Sequence, residues 1–300
     1  MSEWVEIVEV GLRDGFQSMA GFVPTEEKVA LLGKLHGAGL RRVEATSFVS
    51  ATALPQFADA REVLAAAYEL DGMDPQVLVP TARHAERALE AGARHLAFVL
   101  SVSEAHNRSN VRRTPLESVE EYRSIAAMLP EGARIRLNLA TAFDCPFDGE
   151  VEQARVLELL GLVMTVGAPQ EIALCDTTGR VTPNRVEQLF AASGRTLDPV
   201  GWAFHGHDTY GLGAANAFAA WRAGVRVFDS SLAGLGGCPY APGATGNVAT
   251  EDLVWMFDGM GVQSGVDLQG LVTAAHDLAR LPGAMTGGRV RDALASRADP

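Results

Sequence analysis

Short apolar runs alternate with longer stretches of helical period along this chain, and the alternation recurs eight times. The strand-like runs are Val5–Val10, Arg42–Phe48, Gln76–Val79, His95–Val102, Arg134–Ala140, Glu171–Cys175, Trp202–His207 and Val225–Leu232. Between them the helical stretches fall near Thr25–Ala38, Pro55–Glu69, Ala82–Ala91, Leu116–Met128, Val151–Val166, Pro183–Ala192, Gly213–Ala223 and Asn247–Asp258. Several are entered through Thr-Pro (Thr114-Pro115, Thr182-Pro183) and left through Gly39, Gly92 or Gly224, the usual start and stop chemistry of helices.

Strand–helix units of this length pair their strands in parallel. Eight of them favour a sheet closed on itself, a single (β/α)8 TIM barrel, over an open doubly wound sheet. The 300 residues exceed the roughly 250 that such a barrel takes. The pattern therefore predicts a barrel catalytic domain over residues 1–265 and a helical extension, 266–300, packed on it.

Composition narrows the function. The formal charge of −12, from 25 basic and 37 acidic residues, opposes a nucleic-acid binder, which needs a basic face, and opposes docking on an anionic membrane. A local arginine cluster still suits an anionic small substrate. Three cysteines, Cys145, Cys175 and Cys238, make no disulfide framework and suit a reducing compartment. With neither a leader pattern nor a long apolar run, a cytoplasmic protein is expected. The only lysines, Lys28 and Lys34, lie in a stretch that reads as a surface helix, which leaves no buried Schiff-base lysine.

Reactive groups of such barrels sit at the carboxyl ends of strands. The seventh strand ends in His205-Gly206-His207-Asp208, and side chains at i and i+2 share a face, so the two imidazoles converge. That arrangement reads as metal ligation or as a hydrogen-bonded core pair. The first strand ends in Arg13-Asp14-Gly15, by itself an ordinary surface ion pair. Beside two histidines, Asp14 supplies the hard oxygen of a mixed N/O set. Glu44 lies inside the second strand, where a carboxylate needs a partner, and Arg13 is the natural one.

After the eighth strand comes Gly234-Leu235-Gly236-Gly237-Cys238-Pro239-Tyr240, whose spacing is neither a P-loop nor a dinucleotide turn. Cys238 rides on it, either as a reactive thiol or as an incidental small hydrophobe. Asn247 follows, with an N-cap as its ordinary use. Asp176, Thr177 and Thr178 end the sixth strand. His106, Asn107, Arg108, Asn110, Arg112 and Arg113 form a basic, amide-rich patch after the fourth, suited to phosphates or to plain solvation.

Arg13-Asp14-Gly15-Phe16-Gln17, Glu44 with Thr46-Ser47-Phe48, His205-Gly206-His207-Asp208, and the glycine–cysteine loop through Gly246-Asn247 resemble the 3-hydroxy-3-methylglutaryl-CoA lyase family, from about Val5 to Asp267. The resemblance implies that Asp14, His205, His207 and Asn247 hold Mg2+ or Mn2+. It also implies that Arg13 polarises the thioester carbonyl, that Glu44 orients Arg13, that Cys238 is a catalytic acid and that Asp176 matches a further functional acid. One stretch departs: Ser18-Met19-Ala20 stands where the family usually has Asn-Glu-Lys, which bears on the acyl group accepted.

The reaction expected is a retro-Claisen cleavage of an acyl-CoA to acetyl-CoA and a keto acid such as acetoacetate. Asp14 and His205 are the alternatives for the base. Rival readings are a related acyl-CoA condensing enzyme, a 4-hydroxy-2-oxoacid aldolase and a non-catalytic acyl-CoA-binding barrel. Pairing into a homodimer stays open.

Overall fold

A computed structural model describes residues 3–197, 201–236 and 246–295. The elements run β1 (Glu6–Glu9), α1 (Thr25–Gly37), β2 (Arg42–Ser47), α2 (Ala60–Tyr68), β3 (Asp74–Leu78), α3 (Ala82–Glu90) and β4 (His95–Ser101). Then follow α4 (Glu104–Val111), α5 (Pro115–Met128), β5 (Arg134–Ala140), β6 (Asp144–Cys145), β7 (Gly149–Glu150), α6 (Gln153–Val166), β8 (Glu171–Asp176) and α7 (Pro183–Thr196). Last come β9 (Gly201–Gly206), α8 (Gly213–Arg222), β10 (Val227–Ser230), α9 (Thr250–Gly259), α10 (Leu268–Ala279) and α11 (Val290–Ala295).

Eight parallel strands close in the order β1-β10-β9-β8-β5-β4-β3-β2, as the alternation predicts, and β6-β7 is a small separate hairpin. Period-two alternation sorts each strand's residues between two environments. Leu137, Leu139, Ile172, Leu174, Phe204 and Phe228 face outward into one apolar core shared with the helices. The inner face is different. Ala173, Cys175 and Ala203 form a small separate cluster there, and Arg42, Arg136, Glu171 and Asp229 reach one another across the cylinder. A barrel interior is ordinarily filled with bulky aliphatic side chains. This one is filled with charge.

Some sequence expectations shift. Asn107 organises α4, which apolar periodicity does not reveal: its Oδ1 accepts the Ser101 N–H at 2.9 Å while its Nδ2 donates to Arg113 O and Ser118 Oγ. A Ser103 cap on His106 N–H completes the start of that helix. The stretch expected as helix from Pro55 opens with a 3-10 turn, Pro55–Phe57, and the α-helix starts at Ala60. Lys28 belongs to α1 as expected but is not a surface residue. It is 2% exposed, 2.7 Å from Asp59 Oδ1, between α1 and α2 and away from the strand ends. Paired there, it offers no Schiff-base amine.

α10 is integral to the packing, since Leu271, Ala274, Ala275 and Leu278 join the main core and Asp267 N–H bonds Ala38 O. Among the described residues, no helix is long and apolar enough to cross a membrane.

Candidate active site

The end of β1 does not run straight out. Residues Gly11–Gly15 wind into a π-type turn, with both the Arg13 and Asp14 N–H groups on Val10 O at 3.0 and 2.7 Å. Such widened turns recur at functional sites because they re-aim side chains that a regular turn would stack. Here the turn sends Arg13 and Asp14 over the barrel axis. β2 contributes a bulge between Glu44 and Thr46, which turns Glu44 toward the same point.

Arg13 joins the two carboxylates. Its Nε and Nη2 lie 2.6 and 2.5 Å from Glu44 Oε2, and Nη1 donates to Asp14 Oδ1. Burial alone would lower the Arg13 pKa, but Glu44 and Asp14 drive it up and keep the guanidinium charged. Burial would likewise raise Asp14, yet Arg13 foremost, with His205 and His207, holds it well below the usual carboxylate range. The Asp14 pairing is thus with a buried arginine rather than a surface one.

The two histidines come from β9. Strand register sets Asp229 of β10 beside His205, and Oδ2 of that aspartate lies 3.0 Å from His205 Nδ1. His207 Nδ1 meets the Asp176 carbonyl at 2.9 Å. With Nδ1 engaged on both rings, Nε2 is the free atom of each, and these stand 4.0 and 3.8 Å from Asp14 Oδ2. Donor atoms of Asp14, His205 and His207 all lie within 4.8 Å of one another, which a core histidine pair would not require.

Asn247 completes the group. It is not the N-cap of α9, a place Ala249 takes without a side-chain bond. It pairs instead with His207 as an isolated antiparallel bridge, and its Nδ2 donates to Asp14 Oδ2 at 2.9 Å. Its buried Oδ1 has no hydrogen-bond partner among the described residues. A buried amide oxygen left over beside one carboxylate and two imidazole nitrogens fits a divalent cation, and the mixed N/O set suits Mg2+ or Mn2+.

The stem of the glycine-rich loop is built around this asparagine. At Gly236, φ is +137°, and a Cβ would stand 2.9 Å from Asn247 Nδ2. At Gly246, a Cβ would stand 2.2 Å from Gly234 O. Two buried acids hold the stem from below. Glu9 receives Gly11 N–H, Leu232 N–H and the Thr250 hydroxyl, and Glu251 receives the N–H of Ala233, whose φ is +58°. Burial pushes both carboxyls up to about 7. Glu9 and Asp229 do not stand out in the sequence, because each is an isolated charge in a largely apolar strand, and Glu251 beside Asp252 reads as an ordinary acidic first turn of a helix.

Cys238 lies outside the described residues. Asp176 is fully buried; its Oδ1 accepts Gly179 N–H at 3.0 Å, and burial pushes its carboxyl up to about 6. Its carbonyl, rather than its carboxylate, touches a member of the cluster. The basic patch is dispersed: His106 and Asn107 turn inward, Arg108 pairs with Glu104, and Arg113 pairs with Glu121 at 3.4 Å. Arg112 is exposed at a left-handed helix end.

Known proteins share this architecture. The HMGL-like family model matches residues 4–278. A hydroxymethylglutaryl-CoA lyase of Pseudomonas mevalonii is 40% identical over 294 residues, covering 98% of this chain and 97% of its own. The crystal structure of the hydroxymethylglutaryl-CoA lyase from Pseudomonas aeruginosa superposes with a TM-score of 0.93 at 35% identity, covering 99% of each chain. An HMG-CoA lyase from Acenitobacter baumannii, in complex with coenzyme A and 3-methylmalate, gives 0.92 at 36% identity over 98% of this chain and 96% of its own. With its barrel and nearly its whole length shared, the chain belongs to the HMGL-like family.

Proposed function

We propose that this protein is a divalent-metal-dependent carbon–carbon lyase that cleaves a 3-hydroxy-3-methylglutaryl-CoA-type thioester to acetyl-CoA and a keto acid, acetoacetate with the usual substrate. The observation that carries the reading is the convergence of Asp14, His205 and His207 within 4.8 Å beside a buried, doubly paired arginine. A plain acyl-CoA binder needs no such set. Residues 1–265 are assigned as the catalytic barrel and 266–300 as a helical extension packed on it. A cytoplasmic location accompanies the reading and rests on the few cysteines.

Asp14, His205, His207 and Asn247 would hold Mg2+ or Mn2+, which, when bound, makes a nearby hydroxyl a stronger acid and favours negative oxygen. Asp14 or His205 accepts the proton of the substrate's 3-hydroxyl. The C2–C3 bond then breaks, its electrons pass to C2 and the thioester, and the 3-hydroxyl carbon leaves as a ketone. Arg13, locked by Glu44 and permanently charged, faces the thioester oxygen and stabilises the enolate as it forms. Cys238, with an ordinary thiol pKa of about 8.5, remains protonated near neutrality and donates its proton to C2, which yields acetyl-CoA. Asp176 acts on the site through the His207 ring that its carbonyl holds.

The test is a mass-spectrometric screen of branched 3-hydroxyacyl-CoAs, including 3-hydroxy-3-methylglutaryl-CoA, for Mg2+- or Mn2+-dependent acetyl-CoA release. Release that requires the cation and disappears in Cys238→Ala supports the reading. Cation-independent release, or condensation of acetyl-CoA with a 2-oxoacid in its place, overturns it.

A further inference from the structure

Beneath the candidate cation site, the barrel interior holds a line of buried charges that the reaction above does not use. Asp229 Oδ2, 3.0 Å from His205 Nδ1, also accepts from Arg136 Nη2 at 2.5 Å. Arg136 Nε donates to Asn138 Oδ1 at 2.8 Å, and its Nη1 lies 3.1 Å from Glu171 Oε1. Glu171 in turn takes both Nη1 and Nη2 of Arg42, at 3.0 and 2.6 Å. Arg136 is 0% exposed and Asp229 2%. Burying such a pair strips two ions of water, and a well-packed apolar pair of similar volume is often no less stable. Stability alone is therefore a poor account of the line.

Its geometry supplies another. The two histidines are backed differently: His207 by a neutral backbone carbonyl, His205 by a full carboxylate. A carboxylate behind an imidazole fixes which nitrogen carries the hydrogen, fixes the ring's orientation and strengthens the opposite nitrogen as a donor. Asp229 can do this only if it is itself held. Its Oδ1 is buried without a partner among the described residues, so Oδ2, shared between Arg136 and His205, carries all of its hydrogen bonds. Arg136 comes from β5, on the far side of β8 and β9 from β10, so its reach spans the cylinder.

We propose that Asp229 and Arg136 are positioning residues for the cation site: Asp229 orients His205 so that Nε2 faces Asp14, and Arg136 fixes Asp229. The inference rests on the reading of Asp14, His205 and His207 as cation ligands.

The test measures Mn2+ binding to the metal-free full-length protein by electron paramagnetic resonance, beside the thermal midpoint of the same metal-free samples. In Asp229→Asn, Mn2+ affinity is expected to fall by about 10- to 100-fold. Because Asp229→Asn removes one of the two carboxylates that Arg136 faces, the neutral pair R136Q/D229N serves as a second variant, and it should lose affinity to a similar degree. Lys28→Met, which breaks a buried pair outside the barrel axis, should lower the midpoint and leave Mn2+ affinity within twofold of wild type. Wild-type binding together with affinity kept within twofold in whichever of the two variants folds overturns this proposal alone. A wild-type protein that takes up no Mn2+ overturns the ligand reading together with it.

Discussion

In the proposed reaction, Arg13 must carry its charge between two carboxylates and still present an N–H face to the reacting oxygen. A planar guanidinium manages this because its donors fan out in a fixed fork. Two of them serve Glu44 and one serves Asp14. Lysine brings the same charge at one point on a flexible stem and cannot span both acids. Arg13→Lys should therefore lower turnover by about 10²–10³-fold, the usual loss when one oxyanion-stabilising donor is removed. Mn2+ affinity should fall by less than turnover does, since lysine keeps a positive charge beside the Asp14 carboxylate that Arg13 holds. Steady-state acetyl-CoA release and Mn2+ titration check the two halves of the statement, and near-normal turnover would remove Arg13 from its assigned task.

At the level of elements, the glycine-rich stem is a packing problem before it is a catalytic one. The backbone near Gly246 passes so close to Gly234 that any side chain must push the two apart. Gly246→Ala should displace Asn247 and weaken Mn2+ binding, on the order of tenfold as for other supporting groups of metal sites. Titration of the folded variant measures this, and unchanged affinity would show that Asn247 is no ligand. The same elements explain what the sequence reveals. Eight strands are legible because their outward residues form apolar runs, and His205 with His207 is legible because i, i+2 spacing fixes one face on any strand. α4 is not, because a capping serine and the buried Asn107 side chain hold it where apolar periodicity does not. The role of Asp229 is hidden for another reason. It follows from the register of β10 against β9, and a pairing partner is not written in local spacing. Asn247 looks like an ordinary cap until the chain is closed and His207 lies against it.

Across the whole molecule, apolar packing and buried charge occupy largely separate shells, the Lys28–Asp59 pair between α1 and α2 excepted. Apolar side chains fill the space between sheet and helices, while buried acids lie both inside the ring and under the stem. The stem acids set a pH response. Burial raises Glu9 and Glu251 to about 7, above the ordinary 4.5, so between those values the folded chain binds more protons than the unfolded one. Their contribution is fully present below about 4.5 and is lost as pH rises through about 7. The buried His95 and His106, whose pKa values burial lowers, add stability with rising pH only up to about pH 6.5. Above that, the denaturation midpoint of the metal-free protein should therefore fall as pH rises to about 8, and Glu251→Gln should flatten that decline. A midpoint that rises over this interval would contradict the burial argument. The closure of β10 against β1 has one more outcome. Asp14 and Asn247, 233 positions apart along the chain, become neighbours only at that seam. If these two hold the ion as proposed, a polypeptide that has not yet joined its two ends has nowhere to lodge it. Under the proposed ligand set, cation uptake would certify a finished molecule, and the lodged ion would rivet shut the junction on which the ring depends.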